Sequence, residues 1–459
     1  MLSQFLLPEI QDLINNRDLS SIREVLSEWS PADIAELIEL FPPQEQAILF
    51  RILPKDLETD TFEYLSVDDQ ITLIKAMGNE EVGAILNDMS PDDRTALLEE
   101  VPASIAKQML MLLSHDERAV AKKLLGYPEY SVGRLMTPDY ISVEGDWTVK
   151  EVLDHIREEG KDSETINIIY VTNNKGQLID DIRIREFLFA PYDAKVSDLT
   201  DGNYVQLYVN DEQEKAVELF KKYDRIALPV TDQSGILIGI VTVDDVFDVA
   251  EEEATEDIQK LGAVEALDQP YNEIPFFEMI KKRAGWLSVL FIGETMTSSA
   301  MSYFEHELQK ALILIIFIPL IISSGGNSGS QTATLVIRAL SLGEITLKDW
   351  WFVIKREVFS GLTLGVILAG FGFAKIAIMQ GITNAYGQFW YLIAFTVMGA
   401  LVCIVLWGTL MGSIFPLLLK RLGFDPATSS APFVATMVDV TGIIIYFTIA
   451  TLFLRGTLL

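Results

Sequence analysis

The apolar positions of this chain change rhythm twice. Up to residue 130 they recur at helical spacing between acidic stretches, from Met136 to Ala250 short β-branched runs alternate with acidic helices, and beyond residue 283 they merge into long apolar segments. In the first part, SPADIAELIELF (Ser30 to Phe41), VDDQITLIKAM (Val67 to Met77) and SPDDRTALLEEV (Ser90 to Val101) each begin with a Ser or Asp cap, or a first-turn Pro, followed by acids. Linkers near Pro42–Pro43, Gly78–Asn79 and Pro102 close them. Units recurring at about 20–25 residues predict an all-α superhelical N-domain over residues 1–130. The opening MLSQFLLPEIQDLI has no basic stretch and soon turns acidic, which predicts a short amphipathic helix and not a cleaved signal.

After Gly126–Pro128 a repeat begins. Each copy has an entering extended segment, an acidic helix, a strand, a glycine turn, a second strand and another helix. NNKGQLIDDIRIREFLF (Asn173 to Phe189) aligns with DQSGILIGIVTVDDVFD (Asp232 to Asp248), placing Gly176 and Gly235 in the same turn. The copies are expected over 131–200 and 201–250. Residues 251–280 follow as an acidic connecting helix, on which Glu253, Glu256 and Asp257 share one face. Such an oxygen-only cluster suits a hard divalent cation, and a solvated acidic face is the alternative.

Five apolar segments in 281–459 are expected to span a membrane: Trp286–Tyr303, Lys310–Ser330, Phe359–Met379, Phe389–Leu417 and Phe433–Leu454. The first is short and contains Glu294. The fifth, FVATMVDVTGIIIYFTIATLFL, carries Asp439; a carboxylate facing lipid is costly, so Asp439 is expected to face a pore, a cavity or a partner helix. The second is interrupted by SSGGNSGSQTAT (Ser323 to Thr334), whose polar groups must be lined by protein or water. Its small residues also permit close helix packing. Asn327 and Gln331 are its candidate pore-lining oxygens.

Charge divides the chain at the same place. Residues 1–283 hold 58 Asp and Glu against 26 Lys and Arg, a formal charge of −32, while the rest carries 8 against 9. Such an acidic region argues against a nucleic-acid partner and repels itself unless cations screen it. Placing it in the cytoplasm puts Lys281, Lys282, Arg283, Arg338, Lys348, Lys355, Arg356, Lys420 and Arg421 inside, against Lys310, Lys375 and Arg455 outside. With five spans the C-terminus is then extracytoplasmic. The lone Cys403 excludes an intramolecular disulfide. His115, His155 and His306 lie in separate regions without metal-ligand spacing, which argues against an enzyme.

Two resemblances add to this reading. MTPDYISV (Met136 to Val143) and LPVTDQSGILIGIVTVDDVFDV (Leu228 to Val249) resemble a tandem pair of CBS domains, α/β modules that pair with each other and often sense adenine nucleotides or ions. Such domains hold a ribose through a Thr/Ser-x-x-Asp pattern. The second copy has Thr242 and Asp245; the first has Arg183 and Glu186, a departure that leaves ATP binding open, with Arg185 a candidate phosphate partner. PLIISSGGNSGSQTATLVIRALSLGEI (Pro319 to Ile345) and DPATSSAPFVATMVDVTGIIIYF (Asp425 to Phe447) look like the second and fifth membrane helices of the MgtE family of magnesium channels, and the domain order agrees.

That resemblance implies a homodimer with one pore, a connecting plug helix and passive Mg2+ influx closed by cytoplasmic Mg2+. It implies hydrated Mg2+ at Asp439 beside Ala435, and regulatory Mg2+ at Asp92, Glu212, Glu214, Asp224, Asp245, Asp248, Glu253, Glu256 and Asp257. Ala431 stands where relatives can have Asn. The alternative is a secondary transporter exchanging a divalent cation for H+ or Na+.

Overall fold

The computed structural model describes residues 2–161, 163–267, 271, 274–305, 309 and 312–457, with backbone alone for 2–5. His306 and Lys310, named above, lie outside the described residues. The chain divides into two compact units, Met1–Glu251 and Glu252–Leu459.

The first unit begins with short helices: α1 (Leu2–Asn15), α2 (Leu19–Leu26), α3 (Pro31–Glu39), α4 (Pro43–Arg51), α5 (Lys55–Glu63), α6 (Val67–Ala76), α7 (Asn79–Asp88), α8 (Pro91–Glu100), α9 (Ala103–Leu112) and α10 (His115–Leu124). Their starts are written in the sequence. The hydroxyls of Ser30, Ser66 and Ser114 accept the N–H groups of Asp33, Asp69 and Glu117 at 3.2–3.3 Å. The array has a second, longer-range bond. The N–H groups of Ser66, Ser90 and Ser114 donate to Glu39, Glu63 and Asn87, each 27 residues upstream, at 2.8, 2.9 and 2.6 Å. Each bond ties a helix start to the end of the helix three before it, which propagates one superhelical step. Ile22, Leu26, Ile34, Leu37, Phe50 and Phe62 are fully or nearly fully buried between the layers.

The repeat forms two sheets of identical topology. After α11 (Val132–Leu135), β1 (Ser142–Glu144) leads through α12 (Val149–Glu159) to β2 (Ile168–Thr172), β3 (Leu178–Arg183) and α13 (Ile184–Phe189). In the second copy β4 (Leu207–Tyr208) leads through α14 (Gln213–Tyr223) to β5 (Ala227–Thr231), β6 (Leu237–Thr242) and α15 (Val243–Leu261). In both, the first strand pairs parallel with the second and the second antiparallel with the third. The copies join through equivalent atoms. Leu178 N–H donates to Gly235 O at 3.0 Å and Leu237 N–H to Gly176 O at 2.9 Å. Tyr140 OH donates to Leu237 O at 3.1 Å and Tyr204 OH to Leu178 O at 3.4 Å. Gly176 and Gly235 take φ of +75° and +77°, so the turn needs glycine in both copies.

The second unit contains α16 (Phe276–Tyr303), α17 (Ile318–Ser341), α18 (Trp350–Thr383), α19 (Trp390–Arg421) and α20 (Ala431–Leu454). Among the described residues, four segments are long and apolar enough to cross a membrane: Leu312–Ser341, Leu347–Thr383, Trp390–Arg421 and Ala431–Leu454. The expected first span, Trp286–Tyr303, forms part of a 28-residue helix but is not among them. Glu294 and the hydroxyls of Thr295, Thr297, Ser298, Ser299 and Ser302 dilute its apolar character.

The polar interruption of α17 divides by face. Gly325, Gly326, Ser328 and Gly329 are buried, while Ser323, Asn327, Gln331 and Thr334 are exposed. The glycines bring backbones together: a Cβ on Gly408 or Gly412 of α19 would run into the carbonyl oxygen of Gly325 or Gly329, and one on Gly361 of α18 into the Thr409 hydroxyl. Gly412→Val is therefore expected to separate α17 from α19, destabilising the unit by about 1–3 kcal/mol or more. Gly370→Ala, with nothing within 4 Å of the added carbon, is expected to be neutral or slightly stabilising. Thermal unfolding of both variants in one detergent checks this.

Candidate functional site

In the second unit, chemistry gathers around Asp439. The side chain is half-buried on α20, one turn after Ala435. Gly326 of α17 packs against both: its Cβ position lies 3.5 Å from Ala435 Cβ and 3.6 Å from Asp439 Oδ1. The hydroxyl of Ser330 donates to Ala431 O at 3.0 Å and holds α17 to α20 beyond this point. Asn327 is exposed, with its amide 3.5 Å from Ser323 Oγ, and Gln331 continues the same face one turn on. One participant was not among the expected site residues: the carboxyl of Glu294, on α16, lies within hydrogen-bonding reach of Asp439. Its signal in the sequence was a lone acid inside an apolar segment.

In the first unit, the start of α8 meets the start of α15. Asp92 is only 6% exposed, and its Oδ1 is buried without a hydrogen-bond partner. Burial first, and then the charges of Asp245, Asp93 and Glu164, hold Asp92 well above the usual carboxylate range. Asp245 is pushed up to about 7 by burial and by Asp244, Asp93 and Glu164, against a hydrogen bond from Thr242. That bond, Thr242 Oγ1 to Asp245 Oδ2, is 2.6 Å. Burial likewise raises Asp93, Glu164 and Asp248. Glu63, which holds the Ser90 N–H, is raised to about 7 by burial and by Asp93. Cations in the same region are engaged elsewhere: Arg94 binds Leu86 O and Glu117, and Arg134 pairs with Glu99. Asp93, Glu164 and Asp244 complete a seam of which sequence reasoning named Asp92, Asp245 and Asp248. No sequence spacing links Glu164 to α8.

The remaining candidates are placed differently. Glu212 caps the start of α14 and Glu214 lies in its first turn, whereas Asp224 closes its other end at φ +48°. At 1.5 Å per residue these ends are roughly 18 Å apart, so Glu212 and Asp224 do not share one ion within a chain. On α15, Glu256 pairs with Lys260, which also donates to Asp425 Oδ2 at 2.8 Å. Burial alone would lower Lys260, but these two carboxylates outweigh it and raise it. Asp257 is raised by burial against a hydrogen bond with Ser341. Glu253 is half-buried on the same helix. Arg185 is exposed and pairs with Glu186 at 3.4 Å. His115 pairs with Asp116, and His155 packs on the Trp147 ring.

Among the described residues, no group of three or more Asp, Glu, His or Cys side chains converges to hold a metal ion directly. The donors present are carboxylates, and the orphaned Asp92 oxygen has room in its chemistry for a cation. That combination fits an ion that keeps its water shell, as Mg2+ does.

Residues 29–130 match the MgtE intracellular N domain, 132–193 and 196–252 the CBS domain, and 318–449 the divalent cation transporter family. The magnesium transporter MgtE of Thermus thermophilus is 36% identical over 451 residues, covering 97% of this chain and 98% of that protein. The chain belongs to the MgtE family. The Bacillus subtilis magnesium transporter MgtE is 31% identical, covering 86% of this chain and 88% of that protein. The crystal structure of the cytosolic domain of the Mg2+ channel MgtE in complex with ATP matches with a TM-score of 0.51 at 32% identity, over 53% of this chain and all of that one. The soluble part of a magnesium transporter matches equally, with a TM-score of 0.51 at 25% identity, over 55% of this chain and 99% of that one.

The raised carboxyl groups give the seam a pH dependence with a definite sign. The docked state retains protons that the separated domains would release, so docking is strongest below the ordinary carboxyl range. It weakens as pH rises from that range to about 7, over which Asp245 ionises. Spin labels at Tyr64 and Phe247 on a Cys403→Ser background, in EDTA, are expected to show a longer and broader distance at pH 7.5 than at pH 5.5. Adding Mg2+ at pH 7.5 is expected to restore the shorter distance.

Proposed function

We propose that this chain is a magnesium channel that passes Mg2+ inward and is closed by Mg2+ in the cytoplasm. The observation that carries this reading is Asp439, set on an apolar helix against Gly326 and the polar face of α17, in a chain similar along almost its whole length to magnesium transporters. Mg2+ dehydrates reluctantly and is bound through its waters by a few carboxylates. A homodimer would bring two copies of Asp439 to one axis, with Ala435, Asn327 and Gln331 along the path. Inward flux needs no chemical fuel, because the membrane potential favours a divalent cation by about 4.6 kcal/mol per 100 mV.

In this reading α16 is the first span and brings the number to five. At 28 residues it extends about 42 Å, enough to cross with tilt, and the carboxyl of Glu294 lies within hydrogen-bonding reach of Asp439. The basic residues near the span ends place the acidic unit in the cytoplasm and the C-terminus outside. The domains are the N-domain over 1–130, the CBS copies over 131–200 and 201–250, the plug helix over 251–280 and the pore domain over 281–459.

Regulation follows from the acidic surfaces. Mg2+ at the seam of Asp92, Asp245 and Asp248 relieves the repulsion that otherwise loosens it, and Glu212, Glu214, Asp224, Glu253, Glu256 and Asp257 offer further carboxylates between subunits and domains. Ions that bind the compact state preferentially shift the population toward closure. ATP is assigned to the CBS pair near Thr242, Asp245 and Arg185, by likeness to the ATP complex of the related cytosolic domain.

Two measurements test this. Asp439→Asn is expected to abolish Mg2+ uptake into liposomes while the protein elutes as wild type from size exclusion; uptake at the wild-type rate would remove the pore assignment. Calorimetry of the full-length protein with ATP is expected to show binding that Asp245→Asn weakens at least about tenfold, as loss of a charged ribose contact would.

A further inference from the structure

Glu294 and Asp439 are 145 residues apart in sequence, and the fold places them together. Glu294 reaches Asp439 from α16, and the backbone is shaped for that approach. Gly293 lies so close to α20 that a Cβ there would run into the Thr436 side chain, so a larger residue would push α16 away and withdraw Glu294. From the other side Gly326 of α17 leaves room for Asp439 Oδ1. One turn beyond Glu294, the hydroxyl of Thr297 is buried without a hydrogen-bond partner. Asp439 is thus flanked by a glycine on one helix and by a carboxylate, itself exposed at the chain surface, on another.

A merely structural link between these helices would be made more cheaply by Gln or Asn, which bring no charge into apolar surroundings. Two carboxylates at this separation repel in a low-dielectric setting, and the repulsion is relieved when positive charge lies against both. A divalent cation brings more of that positive charge than a monovalent one. Oxygen donors without nitrogen or sulfur suit a hard ion, and side chains that already touch each other are positioned to grip its water shell.

We propose that Glu294 is a second carboxylate of the ion pathway, which acts with Asp439 to hold a hydrated divalent cation and to set the preference for divalent over monovalent ions. This rests on the reading of Asp439 as the ion-binding residue. Glu294 sets a second carboxylate beside each Asp439, and α16 becomes a wall of the pathway as well as a span.

The test uses the full chain in liposomes, with Mg2+ uptake followed as external Mg2+ is varied and K+ flux followed in EDTA. E294Q is expected to raise half-saturating Mg2+ about tenfold and to admit K+ when divalent ions are absent. E294D, which keeps the charge but retracts it by one methylene, is expected to raise half-saturation about two- to threefold. A purely structural role would lower maximal flux and leave half-saturation and selectivity unchanged. E294Q with wild-type half-saturation and no K+ flux overturns the inference. If E294Q aggregates, an unchanged E294D overturns it instead. Wild-type uptake by D439N overturns the reading beneath it, whatever the Glu294 variants do.

Discussion

A carboxylate taken out of water has to meet a proton, a donor or a cation, because neither an apolar helix bundle nor a dry domain seam can solvate its charge. Both units of this chain place acids under that constraint. In the membrane unit Glu294 and Asp439 touch among apolar helices. In the soluble unit Asp92 and Asp245 are pressed together where α8 meets α15, with one oxygen of Asp92 left without a partner. At either place a cation lying against both carboxylates would meet that requirement.

The scaffold makes these encounters unavoidable by bringing backbones close. Along α17, glycines on the buried face interlock with Gly408 and Gly412 of α19, which leaves Asn327 and Gln331 on the open face. Gly326 and Gly293 do the same for α20, so that Asp439 is approached from two helices. In the soluble unit the equivalent precision comes from repeated hydrogen bonds. Ser66, Ser90 and Ser114 are each tied to a residue 27 positions upstream, and the two CBS copies exchange matching bonds through Gly176 and Gly235.

On α15 the acids have a different balance. Lys260 lies between Glu256 and Asp425, and Asp257 bonds Ser341, so the end of this helix is attached to the loop before α20 and to the end of α17. A built-in ammonium group there already does part of what a bound cation would do. The triad of acids on the helix face is therefore not a ready-made cage, and any Mg2+ acting at Glu253 and Glu256 works against an internal competitor.

The sequence by itself determined what depends on neighbours a few residues away. Serine caps, first-turn prolines and helical periodicity marked α3, α6 and α8; alternating β-branched runs with glycine turns marked the CBS repeat; long apolar runs marked the four segments suited to a membrane; and the lone Asp439 and the polar stretch of α17 marked the proposed pathway. These are local free energies of capping, backbone conformation and transfer, and they survive without knowledge of the fold. Tertiary structure decided which distant groups meet. It joined Glu294 to Asp439, although the same glutamate had made α16 the least apolar of the expected spans; it added Glu164 and Asp244 to the seam; and it brought Lys260 to Asp425. Such encounters depend on how helices pack across the chain, and the energy of a charge depends on what that packing puts beside it.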